Sequence, residues 1–107
     1  MSEFEAVLWR ETGRTVCWTL VSLPTDLADD ILDLAGPYSR GFGSLRVDAT
    51  IGGSDWRTSI FPDSKRGTYV LPIREAVRRA EGLAPGVTAK VRIALVDLRR
   101  HGGATTA

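Results

Sequence analysis

A single cysteine, Cys17, rules out an internal disulfide framework and any zinc site built on cysteine. It falls in a strand-like run without a local basic partner, so a buried, inert thiol is expected rather than a nucleophile. Histidine is equally scarce: His101, the only one, sits in a terminal stretch where nothing orients it as a base or ligand. No Ser-His-Asp set, metal-ligand spacing or cofactor fingerprint is present, and no spacing nominates a pair of carboxylates. Neither an enzyme nor a cofactor is expected. Long apolar runs are also missing. None approaches the roughly 20 residues of a membrane span, and the chain opens on Ser2-Glu3-Phe4-Glu5 rather than on a basic region and an apolar core. A cytoplasmic protein that makes no membrane contact is the expectation.

An excess of charge is missing too. The net charge of +1 is too small for bulk electrostatic attraction to nucleic acid. The distribution is uneven, however. Residues 1–39 hold two basic and seven acidic side chains, residues 40–79 eight and four, and residues 80–107 four and two, giving balances of −5, +4 and +2. At 107 residues with 43% hydrophobic content, the chain forms one soluble globular domain.

What is present is a strongly patterned stretch from Gly67 to Leu98. Tyr69, Val70 and Leu71 favour a strand, and Pro72 ends it and suits the first position of a helix. Ile73, Ala76, Val77 and Ala80 then recur at helical spacing, Glu75 and Arg79 stand at i, i+4, and Gly82 suits a left-handed cap. Beyond Pro85-Gly86, Val87, Ala89, Val91, Ile93 and Leu95 alternate with polar residues as a half-buried strand. An earlier stretch follows the same plan: Trp18 to Leu23 as a strand, then Pro24, a helix with Leu27, Ile31 and Leu34 as its apolar stripe, Gly36, and a strand from Leu45 to Ile51. The two Leu-Pro pairs, Leu23-Pro24 and Leu71-Pro72, stand 71 − 23 = 48 positions apart. This is the pattern of a duplicated strand-helix-strand unit, although the frequency of proline at helix starts produces the same pattern by chance.

In chain order, residues 3–10 read as a first strand with Phe4, Ala6 and Leu8 on one side, and residues 15–23 return as a second. Asp29, Asp30 and Asp33 lie on the outer face of the first helix. A solvated face explains them better than a metal or acid/base site. The loop Gly36–Ser44 contains Arg40-Gly41-Phe42-Gly43. A phosphate cradle with Arg40 supplying charge stands against a structural loop with Phe42 in the core, and neither dinucleotide nor P-loop spacing is present. Ile51-Gly52-Gly53-Ser54 signals a tight hairpin. On the returning strand Trp56, Thr58 and Ile60 share one face, and Asp55, Arg57, Ser59 and Phe61 share the other. Pro62 to Gly67 is a basic turn. From Asp97 to Ala107 periodicity is lost and disorder is expected.

The remaining functional signal is binding. Arg40, Phe42, Arg57, Ser59, Lys65 and Arg66 form the candidate ligand-binding set, with Arg46, Arg78, Arg79 and Tyr38 as neighbours in one basic surface. A solvated surface whose arginines pair with the acidic N-terminal third is the competing explanation.

Phe4-Glu5-Ala6-Val7-Leu8-Trp9, Arg40-Gly41-Phe42-Gly43-Ser44, Thr50-Ile51-Gly52-Gly53, Trp56 to Pro62, and Tyr69-Val70-Leu71-Pro72 with its Ala-Val-Arg-Arg-Ala helix resemble a bacterial family described as a domain of unknown function, number 1905. The resemblance spans residues 3 to about 96. It implies a small double-split β-barrel with two helices and no established activity; in some relatives a second domain, associated with bacteriocin protection, is fused to it. The stretch from Gly67 to Leu95 is also similar to the swapped-hairpin regulators and antitoxins of the AbrB and MazE type, which build a barrel from two chains and bind DNA. The expectation is therefore a mainly β, non-enzymatic barrel over residues 1–96, monomeric, followed by a tail over residues 97–107. It binds a small anionic ligand or a protein partner, with DNA binding as the alternative.

Overall fold

The computed structural model describes residues 2–13, 17–39 and 43–96. Arg40, Phe42, the side chain of Cys17, and the tail from residue 97 with His101 lie outside the described residues, as do the expectations attached to them. The elements are β1 (Ser2–Val7), β2 (Trp9–Thr12), β3 (Cys17–Ser22), α1 (Thr25–Ala35), β4 (Leu45–Ile51), β5 (Ser54–Asp63), β6 (Thr68–Pro72), α2 (Glu75–Glu81) and β7 (Thr88–Leu95). The fold is mainly β with two helices.

One antiparallel sheet in the order β1-β7-β4-β5-β6-β3-β2 curls into a half-barrel. The long strand β5 serves both halves: Ser54 to Ile60 pair with β4, and Phe61 to Asp63 pair with β6. At the β4–β5 turn Gly52 adopts φ 59°, and the space a Cβ would need there is filled by the Glu81 carboxylate. That carboxylate also accepts a 2.7 Å hydrogen bond from Ser54, so the end of α2 clamps the hairpin.

The expected single strand over residues 3–10 is in fact two strands, β1 and β2, which occupy opposite ends of the sheet order. The break is at Leu8. Its N–H donates to the Val87 carbonyl at 2.9 Å, and its carbonyl accepts from Gly86 at 2.7 Å. From Trp9 onward the chain pairs instead with β3. Apolar alternation runs through the bend, because Phe4 and Leu8 both enter the core.

The two strand-helix-strand units pair with each other, β3 with β6 and β4 with β7. Leu23 N–H donates to the Tyr69 carbonyl and Ile73 N–H to the Thr19 carbonyl. These reciprocal bonds make Leu23 equivalent to Ile73 and Thr19 to Tyr69, an offset of 73 − 23 = 69 − 19 = 50. The 48-residue spacing of the Leu-Pro pairs is therefore not the register of the repeat. Pro24 caps the start of α1, whereas Pro72 is the last residue of β6, opposite Leu20, and α2 is capped by Arg74. Proline's fixed φ suits a strand end as well as a helix start, so the sequence alone does not separate the two.

The helix stripes shift accordingly. In α1 the buried positions are Ala28, Ile31 and Ala35, while Leu34 is 62% exposed. Small side chains at Ala28 and Ala35 let the helix approach the sheet and turn Leu34 outward. In α2 only Val77 is buried; Ile73 is buried ahead of the helix, and Ala76 and Ala80 face solvent. The Glu75–Arg79 pair and the left-handed Gly82 cap are present as expected. Val21, Leu45, Val47, Ile60, Leu71 and Val91 fill the concave side of the sheet, each contributing about 1.5–3 kcal/mol by burial.

Candidate functional site

The outer side of β5 alternates as expected, but its character changes along the strand. Arg57 lies opposite Asp48 on β4, and the two are bonded at 2.8 Å. Around them the outer side of β1, β7, β4 and the first part of β5 is a lattice of matched charge. Arg92 pairs with Glu3 at 3.4 Å, Lys90 stands opposite Glu5, and Thr50 donates to Asp55 at 2.7 Å. Ser59 lies opposite Arg46 on the same surface.

Past Ile60 the outer side becomes apolar. Phe61 stands opposite Val70, and Trp9 opposite Leu20, which in turn is opposite Pro72. Leu20 and Val70 are buried yet absent from the concave core: they belong to this second, outer cluster. Trp9 Nε1 donates to Ser22 Oγ at 3.0 Å, and the Arg66 guanidinium lies 4.1 Å from the Trp9 ring centroid. Trp18 and Phe61 remain 51% and 42% exposed. β6 lacks alternation because it is covered on both sides, and a strand so covered reads as a continuous apolar run.

The β5–β6 turn is built on Asp63. Its carboxylate accepts from the Lys65 and Arg66 amides and from Arg66 Nη1 at 2.9 Å, and its carbonyl accepts from Gly67. Burial pushes the Asp63 carboxyl up, but the hydrogen bonds and charge of Arg66, with the Lys65 amide, outweigh it and hold the group below its ordinary value. This is a structural ion pair rather than a poised acid. Two open depressions flank the turn. One, of about 270 Å³, lies on the outer side between Trp9, Leu20, Val70 and the turn, and is rimmed by Glu11, Asp63, Lys65 and Arg66. The other, of about 260 Å³, lies between α1 and the same hairpin and is lined by apolar groups of Ala28, Leu32, Pro62 and Tyr69.

The four described members of the expected binding set are divided between these regions. Arg57 and Ser59 lie on the charged outer side, and Lys65 and Arg66 on the turn beside the apolar one. Gly43, whose Cβ would contact Pro62, brings the segment after Arg40 and Phe42 toward that turn. Sequence reasoning passed over Trp9, Leu20 and Val70. The available signal was the uninterrupted burial potential of Thr68 to Leu71, which implies a covered outer side.

Among the described residues no helix is long and apolar enough to cross a membrane. Comparison with curated proteins finds no match. A family model described as "Domain of unknown function (DUF1905)" matches residues 4–93, from Phe4 in β1 to Ile93 in β7, and so takes in both helices, the whole of β2 to β6 and most of β1 and β7. The chain belongs to the DUF1905 family.

Proposed function

We propose that the chain is a cytoplasmic, non-enzymatic binding domain that docks a protein partner on the outer apolar side of β2, β3, β6 and the end of β5. The observation that carries this reading is the half-exposed aromatic pair Trp18 and Phe61, set around the packed Trp9–Leu20–Val70 cluster with Arg66 stacked on Trp9. Exposed aromatic and arginine side chains over a dry centre are what protein interfaces enrich. A small anion fits this site less well. The two basic residues at its rim are balanced by Glu11 and Asp63, and Arg66 is already bonded to Asp63. DNA binding has still less support, because Arg57, Arg79 and Arg92 each hold a carboxylate of their own.

The test is site-specific photocrosslinking in the native cells. A crosslinker at Phe61 or Trp18 is expected to give the same discrete protein adduct, and one at Lys90 to give none. Equal labelling from Lys90, or no adduct from either aromatic position, removes the reading. A DNA duplex or inorganic phosphate that moves the Lys65 and Arg66 amide resonances at low salt restores the rival ones.

A further inference from the structure

Helix α1 carries an uncompensated charge. Asp26, Asp29, Asp30 and Asp33 all lie within it, it has no basic residue in its last turn, and none of the four forms an ion pair among the described residues. Asp26–Asp30 and Asp29–Asp33 are like-charge pairs at i, i+4, and Asp33 sits near the negative end of the helix dipole; both arrangements weaken a helix. Elsewhere among the described residues several exposed carboxylates do hold a cation, in the Glu75–Arg79, Asp48–Arg57 and Glu3–Arg92 pairs. The same helix turns Leu32, 56% exposed, into the apolar depression shared with Pro62 and Tyr69, and Asp29 lines its edge. That space, about 260 Å³, falls below the ~300–1,000 Å³ of small-molecule sites. It suits one bulky side chain.

We infer that the groove between α1 and the β5–β6 turn receives an aromatic or branched aliphatic side chain borne on an arginine- or lysine-rich segment of a partner protein. The apolar residue enters beside Leu32 and Tyr69, and the flanking cations meet Asp26, Asp29 and Asp33. Charge complementarity selects this occupant over an acidic peptide, a free anion or nucleic acid, each of which α1 repels. This inference deepens the protein-docking reading by naming the partner's chemistry, and it uses a surface separate from the Trp9 face.

The test is selection from a randomised 12-residue displayed-peptide library on the intact chain, followed by amide-detected titration with the enriched peptides as synthetic probes. Enriched sequences are expected to combine several Arg or Lys with one bulky apolar residue and to shift amides within 26–33 and 62–69. The D29N/D33N variant is expected to weaken binding about five- to tenfold, an effect that fades at high salt. L32S, at an exposed position that leaves folding intact by circular dichroism, is expected to abolish it. Acidic or uncharged winners, equal affinity for D29N/D33N, or no enrichment overturn the inference. Winners that map to Trp9 and Phe61 overturn it while sparing the docking reading. A dimer in sedimentation that D29N/D33N dissociates also overturns it, since the groove's occupant would then be a second copy of the chain.

Discussion

Within a single strand, β5, the outer surface passes from Arg57, bonded to Asp48, to Phe61, set against Val70. The two ends of the half-barrel are built from equivalent parts, since each is centred on a pair of strands contributed by the two repeats, β4 with β7 at one end and β3 with β6 at the other. Backbone symmetry therefore does not dictate surface chemistry. At the β4–β7 end opposite charges face one another across strands, as in Arg57–Asp48 and Arg92–Glu3. At the β3–β6 end apolar side chains stack on the outer side of the sheet, and the outermost of them stay wet. Paired charge at one end and a half-exposed apolar surface at the other are why the proposed docking on the sheet is assigned to the β3–β6 end.

The largest expected effect separates the two ends by stability. Leu20→Ala, at a position only 7% exposed on the outer side, should cost about 2–4 kcal/mol in urea unfolding, whereas Lys90→Ala at the other end should fall within about 0.5 kcal/mol. Similar costs for the two would mean that the outer apolar cluster is not packed. Next in size, Trp9→Leu removes the hydrogen bond to Ser22 and the stacking of Arg66, for an expected loss of about 1–2 kcal/mol. A Ser22→Ala change made in that background should then add little, and a full additional loss would show that the two side chains act independently.

Asp63 gives a pH-dependent version of the same comparison. Its folded pKa lies below the ordinary 3.8, so the unfolded chain takes up the proton first. The stability it contributes is complete above that ordinary value and is lost as pH falls through the depressed one. Asp63→Asn should therefore cost about 0.5–1.5 kcal/mol at neutral pH, and the gap from the parent chain should narrow as pH falls below the ordinary 3.8. A gap that stays constant with pH would show that only neutral hydrogen bonds hold the turn. The smallest effect is expected in the charged lattice: a double-mutant cycle on Arg57 and Asp48 should give a coupling of about 0.2–1 kcal/mol that declines with added salt.

Much of the fold was legible in the sequence. The strand alternation of Leu45 to Ile51 and Ala89 to Leu95, the Gly52-Gly53 hairpin and the Gly82 cap are local signals with local causes, and they stand. The break at Leu8 was not legible, because the cause lies some eighty residues away in the carbonyl of Val87 and the amide of Gly86. The repeat offset was misread because Pro24 and Pro72 carry the same local signature in different roles. The site was the least legible part. Arg57 looked available in sequence and is bonded to Asp48, whereas Trp9 and Val70 carried no site assignment and gather on the outer side. A pattern of period two tells which residues share a side; it does not tell which side is covered when both are apolar.

The position of β7 between β1 and β4 also has a consequence for synthesis on the ribosome. Ser2 pairs with Ile93 and Val47 with Leu95, so β1 and the open edge of β4 wait without their partner until almost the whole matched region has been translated. No N-terminal portion can complete its sheet early, and the first strand made is among the last to be joined. Such long-range closure is slow, and it leaves strand edges available to neighbouring nascent chains. Glu3 and Glu5 on β1, which meet Arg92 and Lys90 only once β7 arrives, place like charge along that edge in the interval and disfavour its pairing with the same edge of a neighbouring chain.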